Sequence, residues 1–256
     1  MTKRQVKLHA GWITRSCGLA IIALATAHLA LQSIAYHFGL PGMYGLVRLF
    51  DMSVEGNLPT FFSCVQLLVV SLVLLLIGLS RRPAADPFAR HWLFLALIFL
   101  LLAADEMAEM HEMSIRPIRE LAPWLATGVF YWAWVLPGAL FVLLVGFSYA
   151  RFVFRYLPQD MKRATLVGGS LFVGGAIGVE MPEAMFAQRN GIDNFTYSLF
   201  VLVEETMEMT GILVFLSGLL RYVSREVGVV ALEVVPAVPS VATTTAGFAS
   251  SERPAH

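Results

Sequence analysis

The chain has 256 residues, of which 57% are hydrophobic and only 14% charged, with a mean hydropathy of +0.71 and a formal net charge of zero. A soluble domain carries about 25% charged residues, and a chain this apolar could not cover a water-facing surface. The composition excludes an ordinary soluble enzyme and a nucleic-acid-binding module. It implies an all-α, polytopic integral membrane bundle.

Runs of about 20 apolar residues predict six spanning helices, at about 12–37, 60–80, 91–112, 127–155, 164–187 and 195–223. The basic start "MTKRQVKLHAGWITRS" leads into the first of them, read as a membrane helix rather than a cleaved signal. Pro59 suits the first turn of the second helix, where a missing N–H costs nothing. Pro137 falls inside the fourth predicted helix and should kink it; Pro182 should bend the fifth beside two glutamates. "GGSLFVGGAIG" in the fifth helix predicts close helix packing through small residues. Residues 1–228 form the membrane domain, and the Pro/Ala/Thr-rich tail 229–256 is expected to be disordered. Cys17 and Cys64 fall near opposite ends of their helices, which argues against a disulfide.

Charge placement gives the orientation. The side holding both termini carries 14 of the 18 basic residues, so the positive-inside rule predicts cytoplasmic termini in the cell (inner) membrane. That side has 5 acids, a surplus of nine positive charges; the outer side has 4 basic residues and 13 acids, a deficit of nine. Topology accounts for the first figure. It does not account for the second, because acids contribute little to orientation.

Nine of the outer acids lie within or at the ends of the predicted spans: Asp105, Glu106, Glu109 and Glu112 on the third, Glu180 and Glu183 on the fifth, Glu204, Glu205 and Glu208 on the sixth. An uninterrupted third helix would put Asp105, Glu109 and Glu112 within an arc of about 60° and turn His111 about 160° away from Glu109. Lone membrane carboxylates cost several kcal/mol and are functional by default. Arg116, Arg119 and Arg189 are too few to neutralise nine acids.

Glu-x-x-Glu spacing occurs at 106/109, 109/112, 180/183 and 205/208. Carboxylates one turn apart on neighbouring helices resemble the walls of di-iron and di-manganese bundles, although the Glu-x-x-His element of those sites is missing. The expected metal ligands are Asp105, Glu109, Glu112, Glu180, Glu183, Glu204 and Glu208, with His28 and His111 as imidazole candidates. Glu106 and Glu205 are the expected proton donors. A carboxylate-rich set suits iron or manganese better than zinc. Asp51 and Glu55 are expected to be ordinary surface acids beside an Asn57 helix cap. The surrounding methionines are expected to serve as flexible packing.

These features predict a membrane metalloenzyme acting on a lipid-like or other apolar substrate, with the bilayer as its partner. A cation or proton transporter with an acidic outer vestibule is the alternative from a different class, and a structural membrane subunit is the third. The almost purely apolar inner halves of the helices count against transport.

Overall fold

A computed structural model describes residues 9–40, 42–82, 86–124 and 126–228; the predicted tail 229–256 lies outside the described residues. The described residues are helical and contain no strand. The helices are α1 (Ala10–Phe38), α2 (Leu46–Phe50), α3 (Leu58–Arg81), α4 (Ala89–Ala108), α5 (Met110–Leu121), α6 (Val135–Arg151), α7 (Gln159–Val173), α8 (Glu180–Asn190) and α9 (Phe195–Tyr222). Five helical stretches are long and apolar enough to cross a membrane: α1, α3, α4, α6 with its extension to Tyr156, and the continuous run Gln159–Asn190.

Helix α9 lies at the centre, packed against α1, α3, α7 and α8. Helices α3 and α4 form an antiparallel pair, joined where Cys64 Sγ approaches the Ala103 carbonyl at 3.5 Å and where Ser71 Oγ donates to the Ala96 carbonyl at 2.7 Å. Helices α3 and α9 run in parallel, since Arg81 at the end of one donates to the Tyr222 hydroxyl at the end of the other. One end of the bundle therefore gathers the starts of α3 and α9 with the end of α4. This is the acidic end.

The rest of the core is apolar. Val70, Leu74, Ile77, Trp92 and Leu219 are completely buried between α3, α4 and α9. Helices α7 and α9 meet backbone to backbone: a Cβ on Gly168 would sit 2.7 Å from the Gly211 carbonyl, and one on Gly211 would sit 2.6 Å from the Gly168 carbonyl. Gly168 belongs to the small-residue run, so the close packing expected of that segment is present.

Three sequence expectations need correction. The third predicted helix does not continue to 112. It ends at Ala108, and Glu109 adopts φ 52°, ψ 36°, a left-handed conformation that breaks the axis before α5 begins. A non-glycine residue there costs about 1–2 kcal/mol, so surrounding contacts must hold it. The fourth helix begins at Val135 rather than 127, because Gly128 (φ 62°) and a short 3-10 turn precede it. Pro137 thereby falls in the first turn of α6, where no intrahelical N–H bond is lost and no kink results.

The expectation for Pro59 holds. Pro59 lies in the first turn of α3, behind an Asn57 cap whose Oδ1 accepts from the Thr60 N–H at 3.3 Å. Ahead of Pro182 the helix widens into a π-type segment over Gly174–Val179, which delivers Glu180 and Glu183 in the first turn of α8. Such a local expansion relieves a helix of the N–H that proline cannot donate.

Candidate metal centre

Two groups of ligand-type side chains stand out at the acidic end. Glu180 and Glu183 from α8 and Glu204 from α9 each offer an oxygen, and the three atoms lie within 4.8 Å of one another. Glu180, Glu183 and Glu204 are 8%, 3% and 9% exposed. The (i, i+3) spacing puts the α8 pair on one face. Their approach to α9 depends on Gly175: a Cβ there would sit 2.8 Å from the Glu204 carbonyl oxygen and 2.9 Å from the Glu208 Cγ. The Trp134 indole N–H donates to Glu180 Oε1 at 3.0 Å, while Glu183 Oε2 is buried with no hydrogen-bond partner among the described residues.

Glu55, His111 and Glu112 form the second group, again with one ligand atom each within 4.8 Å. The break at Glu109 creates it. Asp105, at the end of α4, accepts the His111 backbone N–H at 2.8 Å and pairs with His111 Nδ1 at 3.0 Å. It thereby caps the first turn of α5 and orients the imidazole. His111 does not point away from the acids, as an uninterrupted helix would require. Glu109 itself is exposed and belongs to neither group.

Glu55 lies in the loop before α3, and its Oε2 is buried without a hydrogen-bond partner among the described residues. Burial first, then the neighbouring charge of Glu106, pushes its pKa up to about 8. Burial alone would lower the His111 pKa, but the hydrogen bond and charge of Asp105, with Glu55 and Glu112 beyond, raise it. Burial also raises Glu112, with Glu109 and Glu180 adding to the effect against the opposing charge of His111.

The remaining acids lie between the groups. Glu106 neighbours Asp105, His111 and Ser63. Glu205 interacts electrostatically with Glu106 and Glu55 on one side and with Glu183 and Glu180 on the other. Glu208 interacts with Glu205, Glu106, Glu180 and Asp105. Trp134 spans the same gap: besides its bond to Glu180, its ring meets His111 edge-on at 4.9 Å. An open cleft of about 400 Å³ lined by Glu112, Ile115, Arg116, Arg119 and Glu120 runs beside the second group.

His28 joins neither group. Its Nδ1 accepts the Met52 N–H at 2.9 Å, and its Nε2 faces the carbonyl and hydroxyl oxygens of Ser198 at 3.2 and 3.0 Å. Both ring nitrogens are thus engaged in tying α1 to the loop before α3 and to α9.

Sequence reasoning read Glu55 as a surface acid and did not single out Trp134. Glu55 carried a signal, as an acid in a short loop at the mouth of the cluster. Trp134 carried none, because only the fold brings the start of α6 to α8.

The chain belongs to the family described as Domain of unknown function (DUF8692), which matches residues 17–223. No curated protein and no solved structure matches it. The family match takes in both ligand groups and every acid between them.

Proposed function

We propose that the protein is a six-span membrane metalloenzyme with both termini in the cytoplasm and a divalent-metal centre in the outer half of the bilayer. Helix α9 supplies the sixth span: its 28 residues extend about 42 Å, and it departs from an apolar segment chiefly through Glu204, Glu205 and Glu208. The asymmetry of basic residues supports the orientation.

The observation that carries the metal assignment is the buried convergence of Glu180, Glu183 and Glu204, where one Glu183 oxygen has no hydrogen-bond partner among the described residues. Three carboxylates brought this close in a low-dielectric setting repel strongly unless a cation or shared protons intervene. Only oxygen ligands are offered there, and the imidazole of His111 completes a mixed oxygen and nitrogen set with Glu55 and Glu112 in the second group. This donor chemistry suits iron or manganese.

Metals held by Glu180, Glu183 and Glu204, and by Glu55, His111 and Glu112, would supply Lewis-acid or redox chemistry to an apolar substrate from the bilayer. Asp105 serves as the residue that orients His111, Glu208 as a reserve ligand between the groups, and Glu106 and Glu205 as proton carriers. The fully buried Leu74, Ile77 and Leu219 beyond the acids favour a closed site over a transport path.

Elemental analysis of protein purified from membranes tests the proposal. Wild type should hold stoichiometric iron or manganese, and Glu204→Gln should lose at least half of it while remaining folded. Metal-free wild type with an intact fold refutes the assignment.

A further inference from the structure

Gln66 is a buried polar side chain that the metal groups leave unexplained. It lies on α3, is 3% exposed, and neither its Nε2 nor its Oε1 has a hydrogen-bond partner among the described residues. A buried amide is unfavourable unless both of its polar atoms are hydrogen-bonded, so the side chain is suited to a partner that supplies both bonds.

Its depth follows from the pairing of α3 with α9. These helices are parallel and are tied at Arg81 and Tyr222. Gln66 lies about 22 Å from the Arg81 level, and Glu208 about 21 Å from the Tyr222 level. Gln66 is therefore level with Glu208 at the floor of the acidic region. One turn nearer the acidic end on the same buried face, Ser63 neighbours Glu106. Further from it, the α3 core residues Leu67, Val70 and Leu74 are apolar and buried.

The chemistry of the missing partner is restricted. Nε2 requires an acceptor and Oε1 requires a donor. An anion would be repelled by Glu106, Glu205 and Glu208, and a cation would leave the amide N–H groups unpaired. A neutral hydroxyl satisfies both amide atoms at once.

We propose that Gln66 is a subsite for the hydroxyl of an aliphatic alcohol or similar neutral apolar molecule, held beside Glu208 at the floor of the acidic region. This deepens the enzyme assignment and rests on it for the apolar character of the substrate.

The probe is a diazirine-bearing hexadecanol, compared with the matching hexadecane lacking the hydroxyl, on full-length protein in lipid nanodiscs. Adducts are mapped by mass spectrometry, and metal content is measured on the same samples. The alcohol should label α3 and α9 near Gln66 and Glu208 at least fivefold more than the alkane. Gln66→Leu should abolish that preference, keep wild-type metal, and raise the melting temperature of ligand-free protein by about 2 °C or more, since an orphaned amide is removed. Gln66→Met, close in shape and lacking the amide, carries the same comparison should the leucine variant fold poorly. Equal labelling by the two probes, or a preference that survives both substitutions, overturns the subsite and leaves only bound water at Gln66. A preference seen in metal-free wild type supports the subsite while refuting the metalloenzyme assignment.

Discussion

Gly175→Ala places one methyl group at the point where the π-type segment ahead of α8 meets α9. The added Cβ would lie 2.8 Å from the Glu204 carbonyl oxygen, 2.9 Å from the Glu208 Cγ and 3.3 Å from the Glu208 nitrogen. Ordinary carbon–oxygen contact begins near 3.4 Å, so the backbones must separate by about half an ångström. Overpacking of this size costs about 1–3 kcal/mol. The shift also moves Glu180 and Glu183 away from Glu204, and metal–oxygen bonds near 2.1 Å tolerate only about 0.2 Å of error. Metal affinity should fall by about 10–100-fold, the range seen when support around a ligand set is disturbed. Gly174→Ala and Gly178→Ala are the controls, since the first meets only the flexible Met207 Cε at 3.0 Å and the second meets nothing within 4 Å. The assay is thermal unfolding in detergent together with a competition titration against a chelator of known affinity. Wild-type melting and wild-type affinity in Gly175→Ala would refute the claim that this approach holds the two halves of the site in register.

Proton competition should govern the second group. Glu55 is protonated below about pH 8 and must lose its proton to bind a cation, so affinity there should rise by up to tenfold per pH unit toward pH 8. Titration by calorimetry at several pH values checks this, and Glu55→Gln should flatten the dependence. The sign reverses for stability without metal: a carboxylate whose folded pKa is raised favours the folded state when protonated. The metal-free protein should therefore lose stability between the ordinary glutamate value and about pH 8, and change little above it. His28→Ala should destabilise by about 2–4 kcal/mol, because it strands the Met52 N–H and leaves a buried gap, while metal content stays at the wild-type level. Loss of metal in folded His28→Ala would instead make His28 a ligand. Trp134→Phe keeps a ring against His111 but removes the donor to Glu180; binding at Glu180, Glu183 and Glu204 should weaken by about tenfold, worth about 1.4 kcal/mol, in the same chelator competition.

Much of this protein is legible in one dimension. Helix class follows from apolar runs of spanning length, because the bilayer demands them whatever the tertiary packing. The start of α9 at Phe195, the Asn57 cap and the small-residue approach of α7 to α9 follow from local rules of the same kind. So does the gathering of acids at one end, since helix direction alternates and depth is counted in residues. What the sequence does not encode locally is where a helix is made to stop. No glycine or proline marks the break at Glu109; it is sustained by Asp105 reaching forward to the His111 backbone and ring. That single turn brings His111, which an uninterrupted helix would turn away, together with Glu112 and Glu55, apart from the group of Glu180, Glu183 and Glu204. Trp134 and Gln66 are placed by packing between segments distant in the chain, so their roles arise from tertiary structure alone. Composition and periodicity determine that carboxylates collect at this depth; only the folded backbone decides which of them face one another, because ligand geometry is a matter of ångströms and helix periodicity resolves only faces.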